Sequence, residues 1–193
     1  MGEGSFFIDR DIDAQTLAAV LVCAGGGERT PRGERLAGLL ARLRSGGDFA
    51  ATLCGARVEA EGGRVLVARE AGEFLRRPRA PLPLSPGVET VWDGRWLIGT
   101  QGPGWSVVPA AGRMGALSEA DRAVLKALPP PVRGAVPVLI RHGGGAPVLA
   151  GTAAKARSLV EQRLALALDR MTHERELGPG LHGAAPPDRL FST

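Results

Sequence analysis

The 193 residues suffice for one medium domain or two small ones, and a 44% hydrophobic content can bury a core. No apolar run approaches the roughly 18–20 residues of a membrane span, and Met1-Gly-Glu-Gly-Ser-Phe-Phe-Ile8 lacks the basic start and apolar stretch of a secretory signal. The net charge of +4 and pI near 10.0 rest on arginine, because Lys126 and Lys155 are the only lysines among 24 basic residues. Arginine grips phosphate with a planar fork that lysine lacks, which permits a nucleic-acid partner. GC-rich codon usage also enriches Arg, Ala, Gly and Pro together, so composition alone does not decide. Cys23 and Cys54 each lie in an apolar stretch and read as buried free thiols, which suits a reducing cytoplasm.

In chain order, Asp13 caps a first helix through Leu17, Val20 and Leu21 that Gly25-Gly26-Gly27 stops. Thr30-Pro31 opens a second, with Thr30 at the cap and Leu36, Leu39, Leu40 and Leu43 forming one stripe. From Phe49 the period becomes extended. Residues 49–110 are expected to form antiparallel strands, with hairpin tips at Glu61-Gly62-Gly63 and Asp93-Gly94. Arg76 to Gly87, with Pro78, Pro81, Pro83 and Pro86, reads as a stiff crossing between them. Ser118-Glu-Ala-Asp121 is a capping box for a helix with Val124, Leu125 and Leu128 on its apolar side. Val136–Arg141 and Ala146–Ala150 make a further hairpin across Gly143-Gly144-Gly145. A last helix is expected from Ala153 to Glu176, followed by a Gly/Pro/Ala tail from Gly178 with the composition of disordered chain.

No catalytic constellation emerges. No phosphate-cradling Gly-x-x-x-x-Gly-Lys-Ser/Thr loop exists, and the two glycine runs read as a helix stop and a hairpin turn. His142, His173 and His182 have no ligand-spaced companions, and Ser106 lacks the second glycine of a nucleophile elbow. Asp93 reads as a turn residue. Trp92, Trp96 and Trp105 could stack on bases, but strand tryptophans more often pack in the core.

The order of segments resembles the tRNA(Ile)-lysidine synthetases over roughly residues 8 to 150. The stretches are Gly25-Gly-Gly-Glu-Arg-Thr-Pro-Arg32 with Glu34-Arg-Leu36, Thr52-Leu-Cys-Gly-Ala-Arg-Val58, Gly63-Arg-Val-Leu-Val-Ala-Arg-Glu70, proline-rich Leu82 to Gly87 leading into Val91-Trp-Asp-Gly-Arg-Trp96, and Leu128-Pro-Pro-Pro-Val-Arg-Gly-Ala-Val-Pro-Val-Leu139. In that family an N-terminal Ser-Gly-Gly-x-Asp-Ser domain adenylates the wobble cytidine of isoleucine tRNA, lysine displaces AMP, and the C-terminal portion helps hold the tRNA. This sequence carries no such loop, so no catalytic residue transfers. The resemblance implies a shortened, fragmentary or degenerate relative, with no cofactor of its own; ATP and Mg belong to the family's catalytic domain.

The expected fold is α+β, with a helical linker segment at 1–47, a β-rich RNA-engaging region at 48–150, and a basic helix and tail at 151–193. The expected function is tRNA positioning by arginine. Arg29, Arg32, Arg35, Arg42 and Arg44 form one group, with Glu34 as the one acid between Arg29 and Arg44; Arg76, Arg77 and Arg79 form another. A solvated charged face is the plain alternative for both. The rival function is a protein–protein or oligomerisation module using the helix from Ala153, as a homodimer or docked on a catalytic domain.

Overall fold

A computed structural model describes residues 4–31 and 33–169, and the chain is α+β as its patterning indicates. It opens with β1 (Phe6–Ile8), a strand within the stretch expected to be helical. Three residues are too few to show a period. Their pairing with the later strand β4 (Phe6 to Val67, Ile8 to Val65) settles their form and turns Phe6 and Ile8 onto the core. Helix α1 (Ala14–Gly25) is capped by Asp13, whose carboxylate accepts the Thr16 amide at 2.9 Å, and Leu17 through Gly25 are all buried. Helix α2 (Glu34–Arg44) starts later than Thr30-Pro31 suggests. Gly33, at φ +66 and ψ −143, holds the cap position, so the chain makes a further non-helical turn before the first helical residue. Leu39, Leu40 and Leu43 of the predicted stripe are buried, and Leu36 packs beside them.

Strands β2 (Phe49–Leu53), β3 (Ala56–Glu61) and β4 (Arg64–Arg69) complete an antiparallel sheet of order β1-β4-β3-β2, with Glu61 opposite Arg64 across the predicted Gly62-Gly63 tip. Alternate residues Ala56, Val58, Ala60, Val65 and Val67 face α1 and α2 and form one core with Leu17, Leu21 and Leu43. Burying a leucine-sized side chain there contributes about 1.5–3 kcal/mol.

After the short helix α3 (Gly72–Arg76), the proline-rich crossing contains β5 (Leu82–Leu84). The second predicted hairpin is β6 (Glu89–Trp92) and β7 (Trp96–Gly99), turning at Asp93-Gly94; β8 (Trp105–Pro109) follows. Beyond a 3-10 turn at Met114–Ala116, Ser118 caps α4 (Glu119–Lys126) by accepting the Asp121 amide at 3.1 Å. Only half of the capping box forms, because the Asp121 carboxylate takes the Leu149 amide and the Thr152 hydroxyl instead. Leu125 is buried but Val124 is 55% exposed, contrary to its expected place on the apolar side; the helix rests on a narrower stripe. A turn of helix, α5 (Pro130–Arg133), leads to the hairpin β9 (Pro137–Arg141) and β10 (Val148–Leu149).

The expected helix from Ala153 is overturned. Helix α6 (Ala150–Ala153) ends at once, β11 (Lys155–Ser158) pairs along the open edge of β7, and only α7 (Val160–Ala167) is helical. Ala156 joins the core beneath that sheet, so an unpaired strand edge outweighs helix propensity. The remainder of that expected helix, to Glu176, and the tail from Gly178 lie outside the described residues. Sheets β10-β9-β8-β5 and β11-β7-β6 share a core of Trp92, Trp96, Ile98, Val107 and Leu139, and α4 covers the other face of the former. Trp92 and Trp96 are thus packing residues, and Trp105 packs against the same core.

Candidate nucleic-acid interface

The densest charge in the described structure is buried. The Asp93 carboxylate, at the tip of the β6–β7 hairpin and 4% exposed, accepts Arg69 Nε at 3.0 Å and Arg95 Nε at 2.9 Å. Arg69 also donates to Glu73 and to the Gly55 carbonyl, and stacks over the Phe74 ring, which itself stacks on Trp92 at 5.7 Å. Arg95 reaches the Ala135 carbonyl at 2.8 Å, and Arg163 of α7 donates to the carbonyls of Gly94 and Gly27. Gly26 lies against this tip at φ +71. A side chain on it would meet the Asp93 carbonyl at 2.1 Å, and one on Gly94 the Gly26 carbonyl at 2.5 Å. Burial pushes the Arg95 guanidinium down to about 10 against the pull of Asp93. For Arg69 burial acts the same way, but Asp93 and Glu73 outweigh it and raise the value. Both remain cations at neutral pH.

Arg69 and Arg95 were not among the expected site residues. The available signal is the strand period: Arg69 shares parity with Val65 and Val67, which puts it on the face of β4 that joins the core of α1 and α2.

Of the expected arginines, Arg79 alone reaches the centre of this cluster, at Asp93. Arg29, Arg35, Arg42, Arg44, Arg76, Arg77 and Arg79 are all exposed, while Arg32 lies outside the described residues. Arg35 and Arg42 line one depression with Ala51, Thr52 and Leu53 of β2, and the Arg42 guanidinium sits 4.2 Å over the Phe49 ring. Arg44, nine residues after Arg35, projects about half a turn away from it on α2, so the first group does not form one patch. Arg76, Arg77 and Arg79 follow Phe74 into the proline-rich crossing. Arg69's hydrogen bond, with smaller help from Arg77 and Arg79, holds the Glu73 carboxyl below its ordinary value. Arg79 is 69% exposed, lies 3.8 Å from Asp93, and joins Phe74, Trp92, Asp93 and Arg113 around a cleft of about 270 Å³.

Neither glycine run forms a phosphate cradle: Gly26 ends α1, and Gly143 to Gly145 connect β9 to β10. No three His, Cys, Asp or Glu side chains gather at metal-holding distances among the described residues. Ser106 Oγ lies 2.8 Å from His142 Nε2, but Ser106 is 3% exposed and no carboxylate pairs with His142 among the described residues. Cys23 and Cys54 are free thiols, the first buried and the second half-buried; burial raises the pKa of both. No described helix is long and apolar enough to cross a membrane.

The described structure is therefore that of an α+β protein with an arginine-bearing surface built around a buried ionic joint. In sequence it is related to the tRNA(Ile)-lysidine synthases, as its ordered motifs indicate. It is 43% identical over 180 residues to the tRNA(Ile)-lysidine synthase of Caulobacter vibrioides, a match covering 89% of this chain. The chain spans less than half, 44%, of that relative's length. No protein-family model matches the chain. No solved structure matches it either.

Proposed function

We propose that this chain is the tRNA-holding part of a lysidine-forming ligase system, gripping the backbone of isoleucine tRNA in the cytoplasm through exposed arginines. The supporting observation is the 43% identity to a tRNA(Ile)-lysidine synthase across most of the chain. The exposed guanidinium groups of Arg35, Arg42, Arg76, Arg77 and Arg79 supply chemistry suited to phosphate. Adenylation and lysine transfer fall to a catalytic domain of the family's kind, with its ATP and Mg²⁺.

Filter binding of isoleucine tRNA to the full chain across a salt series tests this. Contact with three to six phosphates makes a threefold rise in salt cost roughly tenfold or more in affinity. An ATP-dependent lysine-incorporation assay run beside it is expected to stay silent with this chain alone. Salt-independent binding, or none, would favour the rival protein-docking reading. That reading has less to work with than the sequence suggested, because Val160 and Leu164 of α7 turn onto the protein's own core.

A further inference from the structure

The cleft beside the hairpin tip has an unusual charge balance. Asp93 is the one carboxylate lining it, against the guanidinium groups of Arg79 and Arg113, and behind the lining Asp93 is already paired with Arg69 and Arg95. Asp93 is already held by two short contacts, so Arg79, at 3.8 Å and largely in solvent, gains little from it. Arg113 also lines the cleft and forms no ion pair among the described residues; its one described bond is a 3.5 Å contact to the Ala111 carbonyl. An excess of positive charge over a partly buried floor favours an anion. The rest of the wall, including Phe74, Trp92, Val107 and Pro109, is apolar. At about 270 Å³ the cleft falls just below the roughly 300–1,000 Å³ of most small-ligand sites, which limits it to one nucleotide unit.

We propose that this cleft binds one nucleotide phosphate, held in the forks of Arg79 and Arg113, with its sugar against the apolar wall. The choice of phosphate among anions rests on the tRNA-binding reading above. The phosphate can belong to an RNA strand or to a free nucleotide, and the two sources are separable by experiment.

One arm titrates the full chain with cytidine 5′-monophosphate, and with cytidine as the uncharged control, following the Trp92 indole and Val108 methyl resonances by NMR. The other measures tRNA affinity against salt for the wild type and the double variant R79A/R113A, with thermal melting to establish that the variant is folded. For a phosphate held as RNA, the double variant lowers tRNA affinity several-fold and reduces the salt slope by about 1. For a free nucleotide, the monophosphate shifts the cleft resonances, cytidine does not, and the double variant abolishes the shift. If the nucleotide leaves those resonances unmoved and R79A/R113A binds tRNA like the wild type, the proposal is overturned. R35E/R42E separates the two readings. Loss of tRNA binding there but not in R79A/R113A, with no nucleotide shift, rejects the cleft and keeps the tRNA reading. A nucleotide shift without any tRNA binding does the reverse.

Discussion

At the scale of the residue, Asp93 matters more than a turn residue should. Its φ of +51 suits an Asp in a tight hairpin, the role its sequence suggested, yet its carboxylate also neutralises two buried arginines. D93N keeps the shape and the turn but removes the charge, leaving Arg95 fully buried with carbonyl partners alone. Removing one partner of such a pair costs about 3–5 kcal/mol, read as a lower denaturant midpoint with unchanged slope. A loss under about 1 kcal/mol would show that solvent reaches the cluster. Glu73 gives a pH signature. Its folded pKa lies below the ordinary 4.5, first through the Arg69 hydrogen bond, so its contribution is present above that pH and lost as pH falls through the folded value. Unfolding free energy measured across acid pH is expected to fall less steeply in E73Q than in the wild type. Equal slopes would remove Glu73 as a cause. The turn itself was legible because Asp-Gly chemistry is local. The ion pairs were not, because Arg69 and Asp93 are joined only by the packing of distant strands.

At the scale of the element, α1, α2, β2 to β4 and the β6–β7 hairpin were legible, because caps, glycine stops and alternating periods each act within a few residues. The failures share a cause. β1, β5 and β11 have three, three and four residues and take their form from an edge that another strand leaves open. In β11 that edge even overrides an alanine-rich, helix-favouring stretch. Ala156 lies opposite Ile98 and faces the shared core, so A156D places a carboxylate among apolar groups. It is expected to release β11 and α7, seen as fast amide exchange at residues 155–167 while β3 and β4 remain protected. Uniform exchange throughout would mean that the segment unfolds only with the rest.

At the scale of the whole molecule, parts of all five sequence stretches that carry the family resemblance meet at one place. Gly26, Gly55, Arg69, Asp93 with Arg95, and Ala135 all touch the buried ionic joint. The resemblance was therefore reading architecture, while the expected RNA contacts were chosen from charge density along the chain, which cannot say which arginines share a face. Arg35 and Arg42 share one and Arg44 does not, so R35E/R42E is expected to weaken tRNA binding more than R35E/R44E, which changes the charge equally; equal losses would point to diffuse electrostatics. The joint closes late. Arg163 bonds to Gly27 across 136 residues of sequence, so a ribosome has made nearly all of the described chain before that bond can form. The first sheet and its two helices can pair by residue 69, yet α1 must wait with one flank bare until α7 emerges. During synthesis that uncovered flank is the surface on which a chaperone would have reason to sit.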